Sequence, residues 1–402
     1  MTAKRGLLIA CAIAAAATLV AWLLRWGCDD AFISYVYARS LVHGHGLTWF
    51  GTQIEGYTNF AWVLWSALGQ KVGLAPLGWA WAASLASLAV AILTTYRIGA
   101  LRTSPLAGLA AAGVLATSYT FLAFGTSGLE TMLQTALIAS ALLEVERMRR
   151  SEGPPSAESA AVLSLIAALA LWTRLDSAPM LLVLAVVAAH RLANTGAGIR
   201  TWIAAIMPAF VMIGGWFLWK VSTYGEVLPN TYYAKAGSGS VAHGAVYLWA
   251  FARTYVLWPV LLGIAIAAAI QRRAAKLPLA LVAAQAAYVI AVGGDFMEFR
   301  FCVPLLPPLA LAIGEFATTP TRIKAPLQVA VVLAFLAAFS LRHAATYTGE
   351  PDSTVDPVDA LATYYGAVDG NDWSQIGSSL HALAGTRASI ACNGAGAIPF
   401  NA

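Results

Sequence analysis

The stretch that decides the fold is GLLIACAIAAAATLVAWLLRWGCDDAFISYVYARSLV, residues 6–42. Its first half, Gly6 to Leu24, is an uninterrupted apolar run long enough to cross a bilayer as a helix. The run exceeds the ~7 to 15 residue core of a cleaved secretion signal, so we read it as a retained first helix. Leu8-Ile9-Ala10-Cys11 is only faintly like a lipoprotein cleavage box, because most of the apolar run follows the cysteine. Cys11 reads instead as a small buried cysteine. Directly after the run stand two adjacent carboxylates, Asp29 and Asp30, and a pair of acids at a membrane surface suggests chemistry on a lipid-linked substrate.

Composition extends this reading to the whole chain. Of 402 residues 59% are hydrophobic and 11% charged, with mean hydropathy +0.71, so the chain is an all-α polytopic membrane protein. The net charge of +5 belongs to loops that orient the chain and does not point to nucleic acid. Hydropathy places eleven spans near residues 6–26, 77–98, 105–124, 129–147, 159–173, 177–194, 201–219, 246–270, 277–293, 301–317 and 325–341. With a cytoplasmic N-terminus, every inner segment is basic: Lys4 and Arg5, Arg97 and Arg102, Arg147 to Arg150, Arg191 and Arg200, Arg272 to Lys276, Arg322 and Lys324.

The same threading sends Asp29, Asp30, Glu55, Glu130, Arg174, Asp176, Lys220, Lys235, Asp295, Glu298 and Arg300 to the outer face. Ionisable groups from separate segments converging on one face argue for a polar site over the membrane, against the alternative of a scattered solvated rim. Span interiors are nearly free of charge, Arg253 apart, which disfavours an ion-coupled transporter.

The first outer loop, residues 27–76, is long enough to be functional in its own right. Ile33, Tyr37 and Leu41 recur at helical spacing, predicting an interfacial helix that ends in Gly44-His45-Gly46. Phe60 to Leu68, with Trp62 and Trp65 at interface positions, predicts a second interfacial or re-entrant helix. Asp30, just before the first of these, suits an N-cap. One side chain suffices for a cap, which leaves Asp29 as the better candidate for chemistry. His43 and His45, near the acids, could join Asp29 and Asp30 in binding a divalent metal, although the spacing matches no specific ligand motif.

Three segments carry a family resemblance: DDAFISYVYARSLVHGHGLTWFGTQIEGYTNFAW at 29–62, LPNTYYAK at 228–235 and GGDFMEFRF at 293–301. In this order they resemble GT-C-type membrane glycosyltransferases, and the second and third are similar to a subgroup of terminal arabinofuranosyltransferases and their bacterial relatives. The resemblance implies a transmembrane catalytic domain, residues 1–342, that uses a sugar on a polyprenyl phosphate as donor and a glycan, glycolipid or protein as acceptor. No cofactor is implied beyond a divalent metal, which some members of the superfamily use and others do not.

Roles follow from that chemistry. Asp29, with Asp30 beside it, is the expected base for the acceptor hydroxyl. Arg300, Lys235 and Arg174 are expected to meet the phosphate of the leaving lipid. Glu55, Tyr57, Asn59, Tyr232, Tyr233, Asp295 and Glu298 are the expected substrate contacts. Each cation also has a plain alternative: Arg300 paired with Asp295 or Glu298, Arg174 with Asp176 across a short turn, Lys235 reaching headgroups. The tyrosine pair could equally be an interfacial anchor, and Glu130 is explained by its place at a helix start.

The expected setting is the cytoplasmic membrane, crossed many times, with the site on the outer face; the competing class is a transporter or flippase of lipid-linked sugars. Residues 343–402, richer in Asp, Gly, Ser and Thr and with a strand-like Ala388 to Ala391, are expected to begin an outer-face α/β soluble domain that is longer in the resembling subgroup. Cys28, Cys302 and Cys392 fall at or beyond the outer face, where a bridge is permitted but its pairing is not fixed by sequence.

Overall fold

The computed structural model describes residues 2–235, 240–257, 276–295, 297–318, 324–346, 378–380 and 400. The described residues fold as helices, with no strand among them. In chain order these are α1 (Ala3–Leu23), α2 (Asp29–Val42), α3 (Phe60–Lys71), α4 (Pro76–Arg102), α5 (Pro105–Ala116), α6 (Tyr119–Ala123), α7 (Thr131–Arg150) and α8 (Ala157–Thr173). After a 3-10 turn come α9 (Ala178–Asn194), α10 (Ile199–Tyr224), α11 (Asn230–Lys235) and α12 (Val241–Thr254). The last are α13 (Lys276–Val292), α14 (Leu306–Ala317) and α15 (Ala325–Thr346).

Six described helices are long and apolar enough to cross a membrane: Ala3–Leu23, Pro76–Arg102, Leu175–Asn194, Ile199–Tyr224, Arg300–Ala317 and Ala325–Ala344. The chain is a multi-pass membrane protein. Helix α7 lies at the centre, packed on α4, α8, α9 and the 3-10 turn Arg300–Leu305. By contrast α10 leaves Ile203, Phe210, Val211 and Leu218 exposed, as a helix facing lipid tails does. Cys11 likewise points out of the bundle and is not the buried cysteine expected.

Each predicted span has a helical counterpart, with instructive departures. The segment 105–124 breaks at Thr117, whose hydroxyl bonds back to Gly113 O, and Ser118 caps the new helix by accepting from Phe121 N. The 301–317 segment opens as a 3-10 turn containing Pro304, which cannot donate to an α-helical ladder. Helix α10 runs past its predicted end to Tyr224 and stops where Gly225 takes a left-handed φ of +78°, the usual glycine C-terminus. Helix α12 begins at Val241, and the remainder of the 246–270 segment lies outside the described residues. Helix α15 continues to Thr346, beyond the expected domain boundary; the predicted strand at Ala388 to Ala391 and Cys392 lie outside the described residues.

Helix α7 also separates two polar ends. From Glu130 to Glu146 it rises about 24 Å, at 1.5 Å per residue. At the Glu146 end, Arg102 is held between Glu146 and Glu315, Arg149 joins Glu146, and Arg191 caps the chain at Met148 and Ser151. The Glu130 end holds the candidate site.

Candidate active site

The acid pair sits where α1 hands over to α2. The Cys28 amide donates to Ser127 O at 2.8 Å, which fixes Cys28 as the cap residue and starts the helix at Asp29. Asp30 therefore does not cap the helix. Both acids occupy its first turn, half-buried, where the helix dipole favours negative charge. The separation of the two by a capping role does not hold, and both stay candidates.

Behind them, buried polar groups form a continuous chain. Ser34, one turn along α2, contacts Asn59 at 3.0 Å, and Asn59 Nδ2 donates to Glu130 Oε2 at 2.6 Å. The other Glu130 oxygen accepts from Arg174 Nη1 at 2.6 Å. Arg174 in turn grips Asp176 through Nε and Nη2 at 2.7 to 3.0 Å, and Gln134, one turn along α7 from Glu130, donates to Asp176 Oδ1 at 2.6 Å. Burial works against the charge on Arg174, yet Asp176 and Glu130 hold its guanidinium well above its usual range.

Arg300 enters from the far part of the chain. Its Nε lies 2.6 Å from Asp295 Oδ2, and it is within electrostatic range of Asp30, Glu130 and Arg174. Arg174 and Arg300 both face the Phe301 ring, at 5.6 and 5.3 Å from its centroid. Two guanidiniums are thus held beside each other and beside the acid turn by surrounding carboxylates and one aromatic face. Cys28 and Met297 touch through sulfur at 4.0 Å, joining the acid turn to the segment that carries Arg300.

A clasp closes the first loop over this end. Lys220 on α10 pairs with Glu55 at 2.9 Å, Tyr224 donates to Leu47 O at 2.7 Å, Tyr57 and Tyr224 hydroxyls meet at 3.3 Å, and Asn230 N donates to Glu55 O. Burial pushes the Glu55 carboxyl above the ordinary range even though Lys220 pulls it down. The Phe400 ring lies against Phe32 and Tyr35, with its carbonyl accepting from Arg39 at 2.8 Å, so the outer side of α2 is also covered.

No family model matches the chain, and no curated protein matches it in sequence. Solved structures do. ArnT from Cupriavidus metallidurans bound to undecaprenyl phosphate superposes with a TM-score of 0.62 at 16% identity, over 89% of this chain and 68% of ArnT. Its apo state gives 0.62 at 13%, over 89% and 67%. The chain is folded like ArnT. It spans about two thirds of the ArnT chain. The comparisons do not extend to the arabinofuranosyltransferase subgroup.

Of the residues expected at the site, the structure brings Asp29, Asp30, Asn59, Arg174, Asp295 and Arg300 to one end of the bundle. The pairings of Arg174 with Asp176 and of Arg300 with Asp295 are the ones considered from sequence. Glu298 turns away and contacts His343 on α15. Glu55 and Tyr57 are buried and engaged in the clasp. Tyr232 and Tyr233 are exposed and set edge to face at 5.7 Å, and Lys235 ends α11 with a side chain outside the described set. His43 and His45 sit beyond the other end of α2, about 20 Å from the acids over 14 residues, so the four cannot share a metal. Among the described residues no group of three or more His, Cys, Asp or Glu is arranged for a metal ion.

Glu130 and Gln134 are the residues that sequence reading undervalued. Glu130 follows Gly125-Thr126-Ser127-Gly128 and looks like a helix-start acid, but its carboxylate points inward to Asn59 and Arg174 and caps nothing. The available signal was the i, i+4 spacing of Glu130 and Gln134 ahead of the apolar middle of α7.

Proposed function

We propose that the chain is a membrane glycosyltransferase that moves a sugar from a polyprenyl-phosphate donor to an acceptor hydroxyl. The observation that carries this is the acid turn Asp29-Asp30 set beside Arg174 and Arg300 at one end of an ArnT-like bundle. ArnT itself has been captured with undecaprenyl phosphate, a ligand of the class such a donor leaves behind.

In the reaction, the Asp29 carboxylate takes the proton of the acceptor hydroxyl as its oxygen attacks the anomeric carbon. The bond from that carbon to the phosphate oxygen breaks, and polyprenyl phosphate leaves with the electron pair. One such displacement inverts the sugar. The charge that develops on the phosphate is met by Arg300, with Arg174 behind it and Lys235 from the end of α11. Because the carboxylates of Asp295, Glu130 and Asp176 hold these guanidiniums in place beforehand, little reorganisation is needed as charge develops. A divalent ion, where used, would rest on Asp29 and Asp30 without the histidines.

The basic loops support an N-terminus in the cytoplasm and a site on the outer face of the cytoplasmic membrane. An arabinofuranosyl donor, and a glycan, glycolipid or protein acceptor, follow from the sequence resemblance. To test the reading, purified protein in vesicles is given radiolabelled polyprenyl-phosphate sugars and a panel of acceptors. Transfer of label to an acceptor supports the enzyme. Movement of labelled lipid between leaflets without transfer supports a flippase and overturns the proposal.

A further inference from the structure

Arg300 belongs to a segment, residues 293–301, whose conformation has to be imposed. Phe299 is fully buried and adopts φ +52°, a left-handed backbone that a bulky side chain takes only when its surroundings force it. The residues on either side of Phe299 point to different partners: Arg300 to Asp295 and the site, Glu298 to His343.

The forcing groups come from two helices. On α12, Tyr247 donates its hydroxyl to Met297 O at 3.1 Å and accepts from Phe301 N at 3.3 Å, so one phenol spans the turn. On α15, His343 holds the buried Glu298 through Nε2, while its Nδ1 lies 2.9 Å from the Tyr255 hydroxyl, which bonds Thr120. The Phe299 ring is enclosed by Tyr247, Phe251 and His343 at centroid distances of 5.8, 5.3 and 5.6 Å. A polar contact between fully buried partners, reached across 45 residues, is an expensive way to fill space. It is an effective way to fix the register of a strained turn.

We propose that His343 is a positioning residue for phosphate binding, acting through Glu298 to hold the Phe299 turn and so aim Arg300 at the lipid phosphate. This rests on the proposed function, in which Arg300 meets that phosphate. Helix α15 thereby takes part in the site without touching its substrate.

The test is binding of undecaprenyl phosphate to purified wild type, Arg300→Ala, His343→Ala, His343→Gln and the double variant Arg300→Ala/His343→Ala, each checked for a cooperative melt. His343→Ala is expected to weaken binding about tenfold, and His343→Gln, which keeps a donor toward Glu298, to stay within about threefold of wild type. The double variant should bind no worse than Arg300→Ala, because both changes remove the same contact. If His343→Ala does not fold, the paired change Glu298→Gln/His343→Gln carries the test, since it keeps the hydrogen bond and should bind like wild type. Full affinity in folded His343→Ala, losses that add to those of Arg300→Ala, or weak binding by the paired change would overturn the inference alone. Full affinity in Arg300→Ala would overturn the phosphate reading, and the inference with it.

Discussion

Arg174 donates to Glu130 across 44 residues of sequence at 2.6 Å, and this contact joins the α7 start to the α8–α9 turn inside the bundle. Glu130 is nearly fully buried and serves two donors at once, Arg174 and Asn59. Removing Glu130 leaves Arg174 with Asp176 alone and takes the acceptor from the buried Asn59 amide, a loss of about 1 to 3 kcal/mol. Glu130→Ala should therefore lower the melting temperature, and Glu130→Ala/Arg174→Met should cost less than the two single changes added together. A double variant as unstable as the sum of the two single changes would show that the two residues are not coupled.

Gly128 supports the site by a different route. Its φ is +80°, and a Cβ there would lie 2.9 Å from Leu77, 3.0 Å from the Tyr35 hydroxyl and 3.1 Å from Ala31. Its carbonyl accepts from both Tyr35 and Trp62, each part of the first long loop. Gly128→Ala combines a left-handed backbone cost of roughly 1 to 2 kcal/mol with these contacts. We expect it to destabilise the protein and displace α2, read as faster exchange of amides in residues 29–42. Unchanged exchange would remove Gly128 from the support of the acid turn.

The clasp should be pH-sensitive in a fixed direction. Burial raises the Glu55 carboxyl above its unfolded value, so the folded chain holds this proton more tightly than the unfolded one does. The stability this contributes is present below the ordinary glutamate range and is lost as pH rises through the higher, folded value. Measured as the difference from Glu55→Gln, wild-type melting temperature should fall over that window as pH increases. A difference that is flat, or that grows with pH, would mean that Lys220 dominates burial at this site.

Hydropathy makes the helices legible because each presents a continuous apolar surface to the bundle or to lipid, and Gly44, one residue beyond the His43 cap, marks the end of α2. What escaped depended on contacts far apart in sequence. Local spacing allows Asp30 to cap α2, whereas the helix start is set by Cys28 bonding to Ser127, nearly a hundred residues away. Glu298 was grouped with Asp295 beside Arg300, but a strained residue between them turns it to His343. Glu130 looked ordinary since nothing local reveals Asn59 and Arg174 closing on it from both sides.

The central claim is that Asp29 removes the acceptor proton while Arg300 and Arg174 hold the lipid phosphate. It is tested most directly by comparing wild type with Asp29→Asn in the radiolabelled transfer assay, with undecaprenyl phosphate binding measured on the same preparations. The substitution keeps the shape of the side chain and removes its basicity, so transfer should fall by roughly 10² to 10⁴ while lipid-phosphate affinity is retained. Transfer at the wild-type rate by a folded Asp29→Asn would contradict the account.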